Sequence, residues 1–159
     1  MISYRLIFTF IILSSGILFF SCDPNKIYEE NIEIKNAVWN KNDKIIFNVE
    51  ITDTICPHNI LINKRITGMY PKSNLYLFIC TKFPKGELTK DTLLCFLADE
   101  KGKWYGKGFG DIWSITTIYK QNVRFPQKGK YTFEIEQAMR IENLPQILDI
   151  GLRIEKSKI

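Results

Sequence analysis

The feature that most constrains the fold of this chain is a repeated alternation of apolar and polar residues. In residues 44–52, KIIFNVEIT, every odd position is apolar, so these side chains face one side of an extended backbone. Residues 131–136, YTFEIE, continue the pattern, as do Leu148 and every second residue to Ile154. Period two is typical of a strand with one buried face. We therefore predict β-strands in these three segments.

Other segments predict further strands. Residues 75–81 and 91–98 are apolar on both faces, which indicates a central position in a sheet for the first. Residues 112–123 indicate one or two shorter strands, and Gly, Pro and Asn cluster between the segments as they do in turns. No long segment shows helical spacing. The chain is therefore predicted to be all-β, a single antiparallel β-sandwich of immunoglobulin-like or jelly-roll-like type.

Tyr131 adds a local signal for the same architecture. It follows a proline-containing turn and Gly129, and it opens a predicted strand. This arrangement resembles the tyrosine corner of sandwich domains, in which the hydroxyl bonds back to the upstream backbone.

The amino-terminal segment resembles a bacterial lipoprotein signal peptide. Arg5 precedes an apolar run over residues 6–20, and Ser21 and Cys22 follow it. The run is shorter than the roughly 20 residues that span a bilayer. In such signals the chain is cut before the cysteine, which receives the lipid; an uncleaved anchor and ordinary secretion are the alternatives. We predict a signal peptide over residues 1–21, a lipidated Cys22 with a tether over residues 22–30, and the sandwich over residues 31–159.

Composition places few limits on the partners. The chain carries 22 Lys and Arg against 17 Asp and Glu, a formal net charge of +5. This balance suits binding to anionic headgroups or polysaccharides, and it equally suits an ordinary lysine-rich surface. Cys56, Cys80 and Cys95 remain after the lipidated cysteine. The last two lie in apolar runs, which favours buried thiols over a disulfide between them.

The residues that carry chemistry do not form a recognisable catalytic or metal-binding pattern. His58 is the only histidine, and Cys56 near it would leave a metal site short of the usual three or four ligands. Pro57 stiffens the link between the two, which disfavours a nucleophile pair, so His58 is interpreted as an exposed loop residue. We therefore predict a protein that is not an enzyme, with no catalytic residues, no metal and no cofactor.

Glycines alternate in GKGFG, residues 106–110, but no helical pattern follows, so a phosphate-binding loop is disfavoured. In a sheet such glycines mark a bulge, a bend or a close backbone approach. Trp104, Tyr105, Phe109 and Trp113 surround them. These rings either fill one end of the sandwich or form an exposed platform for sugars or for a partner.

Several short sequence segments together resemble the GldH family of gliding-motility lipoproteins. Their order and spacing match over nearly the whole mature chain; they are Trp39, Asp53-Thr54, YPKSNLY at 70–76, DTL at 91–93, GKWYGKG at 102–108 and EQAMR at 136–140. The resemblance implies a non-enzymatic envelope lipoprotein that works beside other motility lipoproteins and the linked type IX secretion apparatus. We expect the anchor in the outer membrane, on its periplasmic side, with the inner membrane as the alternative, and we expect no nucleic-acid partner.

Two segments predicted to be loops combine rings with lysines, a mixture that suits a protein-binding surface. The predicted partner-binding residues are Tyr70, Lys103, Trp104, Tyr105 and Lys107. The alternative function is a polysaccharide-binding sandwich that uses the region from Trp104 to Trp113.

Overall fold

The computed structural model describes residues 23–157. The predicted signal peptide and the predicted lipidation site, Cys22, lie outside the described residues. The described part of the chain contains no α-helix. Its strands are β1 (Lys26–Glu33), β2 (Val38–Asn40), β3 (Ile45–Ile51), β4 (His58–Thr67), β5 (Asn74–Lys82), β6 (Leu88–Phe96), β7 (Lys107–Phe109), β8 (Ile112–Val123), β9 (Gly129–Gln137), β10 (Asn143–Pro145) and β11 (Ile147–Lys156).

The strands form two antiparallel sheets that enclose one apolar core, which confirms the predicted sandwich. One sheet has the order β1-β11-β4-β8-β7 and the other has the order β3-β9-β5-β6. A short ladder of β10 with β2 lies beside them. The chain passes from one sheet to the other at most of its connections, so residues distant in sequence meet in the core.

The core consists of the inward positions of the alternating strands. In β3 the odd positions are buried and the even positions are exposed, as the sequence predicts. Phe47 pairs with Phe133 of β9, and both rings are at most 1% exposed. Burying a side chain of this size stabilises the fold by about 1.5–3 kcal/mol. The alternation of apolar residues is therefore what holds the two sheets together.

Tyr131 forms the predicted tyrosine corner. Its hydroxyl donates to the Gln127 carbonyl at 2.9 Å and accepts from the Gln127 amide at 3.3 Å. The ring packs edge-on against Phe83 and Phe125, with centroids 5.3 and 5.0 Å away. The residue thus fixes the loop that leads from β8 into β9.

The domain begins earlier in the chain than the sequence predicts. We predicted a tether over residues 22–30, but β1 begins at Lys26 and pairs with β11 through Glu33. Tyr28 and Ile32 pack against the core. Alternation in this segment is weak because β1 is an edge strand whose other positions face solvent.

Two strands also differ from their predicted form. Residues 112–123 form the single strand β8 rather than one or two shorter ones. In β11 a bulge between Ile147 and Asp149 shifts the register against β4, so Ile147 is buried and Leu148 is only half-buried. A bulge inserts one residue into the alternation, and the apolar pattern does not reveal where.

Cys80 and Cys95 are free thiols, as the sequence favours. Cys80 lies opposite Lys90, whereas Cys95 lies opposite Leu75, so the two cysteines are far apart along the β5–β6 ladder. Cys95 is fully buried and Cys80 is half-buried.

Candidate functional site

The loops of the sandwich gather at two ends. The proximal end comprises residues 52–57, 83–87 and 124–128, beside Asp23 where the described chain begins. The distal end comprises residues 68–73 and 97–111. All five predicted partner-binding residues belong to the distal end.

Tyr70 is a core residue rather than an exposed one. Its side chain is only 4% exposed, and its hydroxyl donates to the Asn74 carbonyl at 3.0 Å. Burial raises the pKa of the phenol. The ring lies 6.4 Å from that of Trp104, which is half-buried against the core. Tyr70, predicted as a partner-binding residue, is therefore buried away from any partner, and Trp104 partly shares its structural role.

A tight turn positions the next two predicted residues. The Asp99 carboxylate accepts from the amides of Lys101 and Lys103, both at 2.9 Å. Gly102 has φ +79°, a conformation that favours glycine at the centre of such a turn. The Tyr105 amide then donates to the Leu97 carbonyl at 2.8 Å. The turn leaves the Lys103 side chain and the Tyr105 ring in solvent.

The glycines that follow allow β7 to approach β8 closely. A Cβ on Gly106 would lie 2.1 Å from the Ser114 carbonyl oxygen, and one on Gly108 would lie 3.0 Å from the Trp113 ring. Of the three predicted alternatives, a bulge, a bend or a close backbone approach, the structure shows the close approach. Because the Trp113 ring lies against Gly108, that ring is not part of an open platform.

Phe109 is the most exposed ring of the distal end, at 90%, and Tyr105 is 47% exposed. Met69 is 73% exposed on the neighbouring loop. Five of the exposed residues at the distal end are here called the distal surface; they are Met69, Lys103, Tyr105, Lys107 and Phe109. Apolar anchors with a charged rim are the composition of a protein-binding surface.

A second apolar region, absent from the predicted sites, lies on the outer face of the four-stranded sheet. Tyr76 and Phe96 are 39% and 64% exposed there. A shallow cleft of about 550 Å³ adjoins Tyr76 and is flanked by Lys72 and Arg140. The signal was present in the strands that are apolar on both faces. In residues 75–81 the pattern predicts a central strand, and β5 is one, with β9 and β6 on its two sides. A two-layer sandwich nevertheless covers only one face of each sheet.

His58 is buried, contrary to the prediction of an exposed loop histidine. It opens β4, its ring packs against Phe125 with centroids 5.3 Å apart, and burial lowers its pKa. A weak interaction with the backbone of Val123 favours the charged form of the ring and so opposes part of this lowering of the pKa. Neither ring nitrogen, however, has a partner at hydrogen-bond geometry among residues 23–157. The His58 ring therefore contributes to the fold by packing against Phe125.

Cys56 does not have the environment of an activated nucleophile. Its thiol interacts with the Asp53 carboxylate, which raises the pKa of the thiol and so disfavours the thiolate. Within the described residues, no three side chains of the ligating types converge on a point where a metal could bind. The same residues include no helix with the length and apolar character needed to cross a bilayer.

Lys64 is an unusual charge in the core. It is fully buried on β4, and its ammonium donates to the Ile62 carbonyl at 3.0 Å and to the Thr117 hydroxyl at 2.6 Å. Burial lowers its pKa to about 8, and the nearby Cys95 opposes part of this shift. No carboxylate forms an ion pair with it within residues 23–157.

Comparison with known proteins identifies the family of this domain. A family model described as GldH lipoprotein matches residues 26–154, which includes almost every strand. The chain belongs to the GldH lipoprotein family. The family match begins at the first residue of β1, in agreement with the domain boundary that the structure places there.

Two curated relatives are similar over nearly their whole length. The chain is 39% identical to a "gliding motility lipoprotein GldH homolog" of Christiangramia forsetii, over 93% of this chain and 94% of that protein. It is 35% identical to the "gliding motility lipoprotein GldH" of Flavobacterium johnsoniae, over 92% and 94%. Membership of this family supports a lipid-anchored location in the cell envelope.

Proposed function

We propose that this protein is a lipid-anchored, non-enzymatic component of the gliding motility machinery and of the associated type IX secretion apparatus. It acts through contacts with other envelope lipoproteins. The observation that carries the proposal is the similarity to gliding motility lipoproteins over more than nine-tenths of the chain. The anchor is proposed to be Cys22, in the outer membrane and on its periplasmic side.

The distal surface supports a role in docking. Phe109 and Tyr105 stand in solvent although burying them would be favourable, and Lys103 and Lys107 surround them. Rings that are held out by a rigid turn and hairpin lose little conformational freedom on binding. These features suit a protein partner better than a polysaccharide, because the two tryptophans of the region are half-buried.

The environments of the reactive side chains support a non-enzymatic role. The Cys56 thiol has a raised pKa, and the His58 ring packs against Phe125 instead of meeting that thiol as a base. An activated cysteine needs the opposite, a lowered pKa or a neighbouring base.

Affinity purification from solubilised envelopes tests the docking role. Phe109→Ala and Tyr105→Ala are expected to leave the domain folded and to weaken capture of envelope lipoproteins about thirtyfold, the effect of losing an anchor worth about 2 kcal/mol. Ile118→Ala is the matched control, because Ile118 is a 50% exposed apolar residue on β8, away from the distal surface.

Retention of every partner by both folded variants would exclude the distal surface as the docking site. Binding of the wild-type protein to insoluble polysaccharide, lost in the same variants, would favour the carbohydrate-binding alternative. Fractionation of the inner and outer membranes with wild-type protein and Cys22→Ser tests the anchor, since the variant is expected in the soluble fraction.

A further inference from the structure

Within the described residues, the chain is bound to the sandwich from Asp23 onward. The Asp23 carboxylate is bound to the Arg153 guanidinium on β11, and the Asp23 carbonyl accepts from the Lys26 amide at 3.2 Å. The Lys156 amide donates to the Asn25 carbonyl at 2.8 Å. Consecutive Cα atoms are about 3.8 Å apart, so Cys22 is attached directly to a residue fastened to the fold. A lipid on Cys22 therefore holds the sandwich itself close to the bilayer.

Two surfaces flank this attachment point, and their charges differ. The first is the outer face of the five-stranded sheet. Its charges balance, with four carboxylates and four cations; they are Glu29, Glu33, Asp149 and Glu155 with Lys26, Arg65, Lys107 and Arg153. Because most of these charges are already paired with one another, the face offers an anionic membrane surface little attraction.

The second surface is the proximal end. Lys85, Arg124 and Lys128 are exposed there, and within residues 23–157 none of them forms an ion pair. Ile55 stands among these loops with 82% of its side chain exposed. Two acids lie on the same loops, Glu87 and Asp53, and Asp53 is ion-paired with Lys156. The proximal end thus keeps an excess of cations beside an apolar side chain, the composition of a surface that binds anionic lipid.

The loop that carries Ile55 is already ordered. The Asp53 carboxylate accepts from the Ile55 and Cys56 amides at 2.9 and 3.1 Å. These bonds lower the pKa of Asp53 to about 2, so the carboxylate stays ionised at neutral pH. Arg124 donates to the Ile55 carbonyl at 2.9 Å. Because the side chain is held outward before any contact, little ordering remains to oppose its insertion.

We infer that the proximal end is a membrane-binding surface for anionic phospholipids. Ile55 enters the headgroup region, Lys85, Arg124 and Lys128 face the lipid phosphates, and the distal surface points away from the bilayer. The inference rests on the lipid anchor at Cys22 that belongs to the proposed function. Lysines occur at both ends, so the attachment point at Asp23, and not charge alone, selects the proximal end.

Lysine protection measures this orientation. The full lipid-anchored protein is placed in vesicles of phosphatidylethanolamine and phosphatidylglycerol, and acetylation of each lysine is followed by mass spectrometry. Lys85 and Lys128 are expected to react about threefold or more slowly than in detergent. Lys101, Lys103 and Lys107 at the distal end are internal controls and are expected to keep their rates. Protection is expected to fall in phosphatidylcholine vesicles, and also as salt shortens the Debye length from about 10 Å to about 3 Å.

Charge-reversal variants test the membrane-binding surface without changing the lipid anchor. The Lys85→Glu variant is expected to lower the protection of Lys128 in the same vesicles, while Arg124 is kept because its hydrogen bond orders the Ile55 loop. The matched Lys101→Glu variant is expected to leave the protection of Lys128 unchanged. Both positions are exposed, so both variants are expected to fold, which circular dichroism checks.

Equal reaction rates at the two ends would overturn the inference, and protection of the distal lysines would reverse the orientation. Acyl labelling of the same samples reports on the anchor separately, with Cys22→Ser as the unlabelled reference. A labelled protein without proximal protection contradicts only the membrane-binding surface. An unlabelled wild-type protein contradicts the anchor and this orientation with it.

Discussion

Lys64 shows how a single residue makes the stability of the whole domain depend on pH. Its ammonium is buried between the sheets, where two hydrogen bonds replace only part of its hydration. Burial lowers its pKa from 10.5 to about 8 in the folded protein. Between these two values the unfolded chain holds the proton and the folded chain does not. Unfolding then takes up a proton, so the free energy of unfolding rises with pH in this window.

We expect this residue to add about 1.4 kcal/mol of stability per pH unit from about pH 8 to pH 9.5. Lys64→Met removes the buried charge while keeping a similar volume. The variant is expected to be more stable than the wild type at pH 7, by about 1–3 kcal/mol. This difference in the free energy of unfolding between the variant and the wild type is expected to decrease as the pH rises. Urea unfolding at a series of pH values measures both effects.

Lys103→Met is the control, because Lys103 is exposed in the distal turn. It should leave the pH dependence of unfolding as in the wild type. A wild-type protein whose stability does not rise between pH 8 and pH 9.5 would show that Lys64 reaches water in the native state.

At the scale of elements, the β7–β8 hairpin depends on a close backbone contact. Gly106 has φ +85°, and a Cβ there would overlap the Ser114 carbonyl oxygen at 2.1 Å. Since that oxygen belongs to the backbone of β8, it cannot move without the strand. The hairpin carries Phe109, so the contact also positions part of the distal surface.

Gly106→Ala is expected to destabilise the domain more than the strain of a positive φ alone, which costs about 1–2 kcal/mol. Gly86→Ala isolates that strain, because Gly86 has φ +98° and nothing lies within 4 Å of its Cβ position. Thermal unfolding of both variants gives the difference. If the two variants melt at the same temperature, the β7–β8 contact contributes nothing beyond the backbone conformation.

At the scale of the whole molecule, β1 belongs to the sandwich and links it to the anchor. Seven residue pairs join β1 to β11, and Arg153 binds both Asp23 and Glu29. Without β1, β11 would become an unpaired edge strand with apolar residues beside it. Such an edge favours association between chains.

A protein that begins at Asp23 is therefore expected to be monomeric and to melt cooperatively. One that begins at residue 31 is expected to melt at a lower temperature and to self-associate. Size-exclusion chromatography and thermal melting compare the two. Equal behaviour would mean that β1 is dispensable and that the domain begins where the alternation in the sequence becomes clear.

The sequence by itself determined the sandwich, most strand positions, the tyrosine corner and the family. These predictions succeeded because they depend on local information. Period two in β3 and β9 follows from the backbone geometry of a strand, and the corner at Tyr131 involves a residue only four positions away. The glycines at 106 and 108 likewise indicate a close approach through their own lack of a side chain.

Only the tertiary structure decided which side chains are covered. Tyr70 and His58 lie next to loop-forming residues in sequence, yet packing against Trp104 and Phe125 buries them. β1 is a strand because β11 is there to pair with it. Phe96 is exposed because no third layer covers its sheet. Burial depends on neighbours distant in sequence, so the periodicity of one segment cannot specify it.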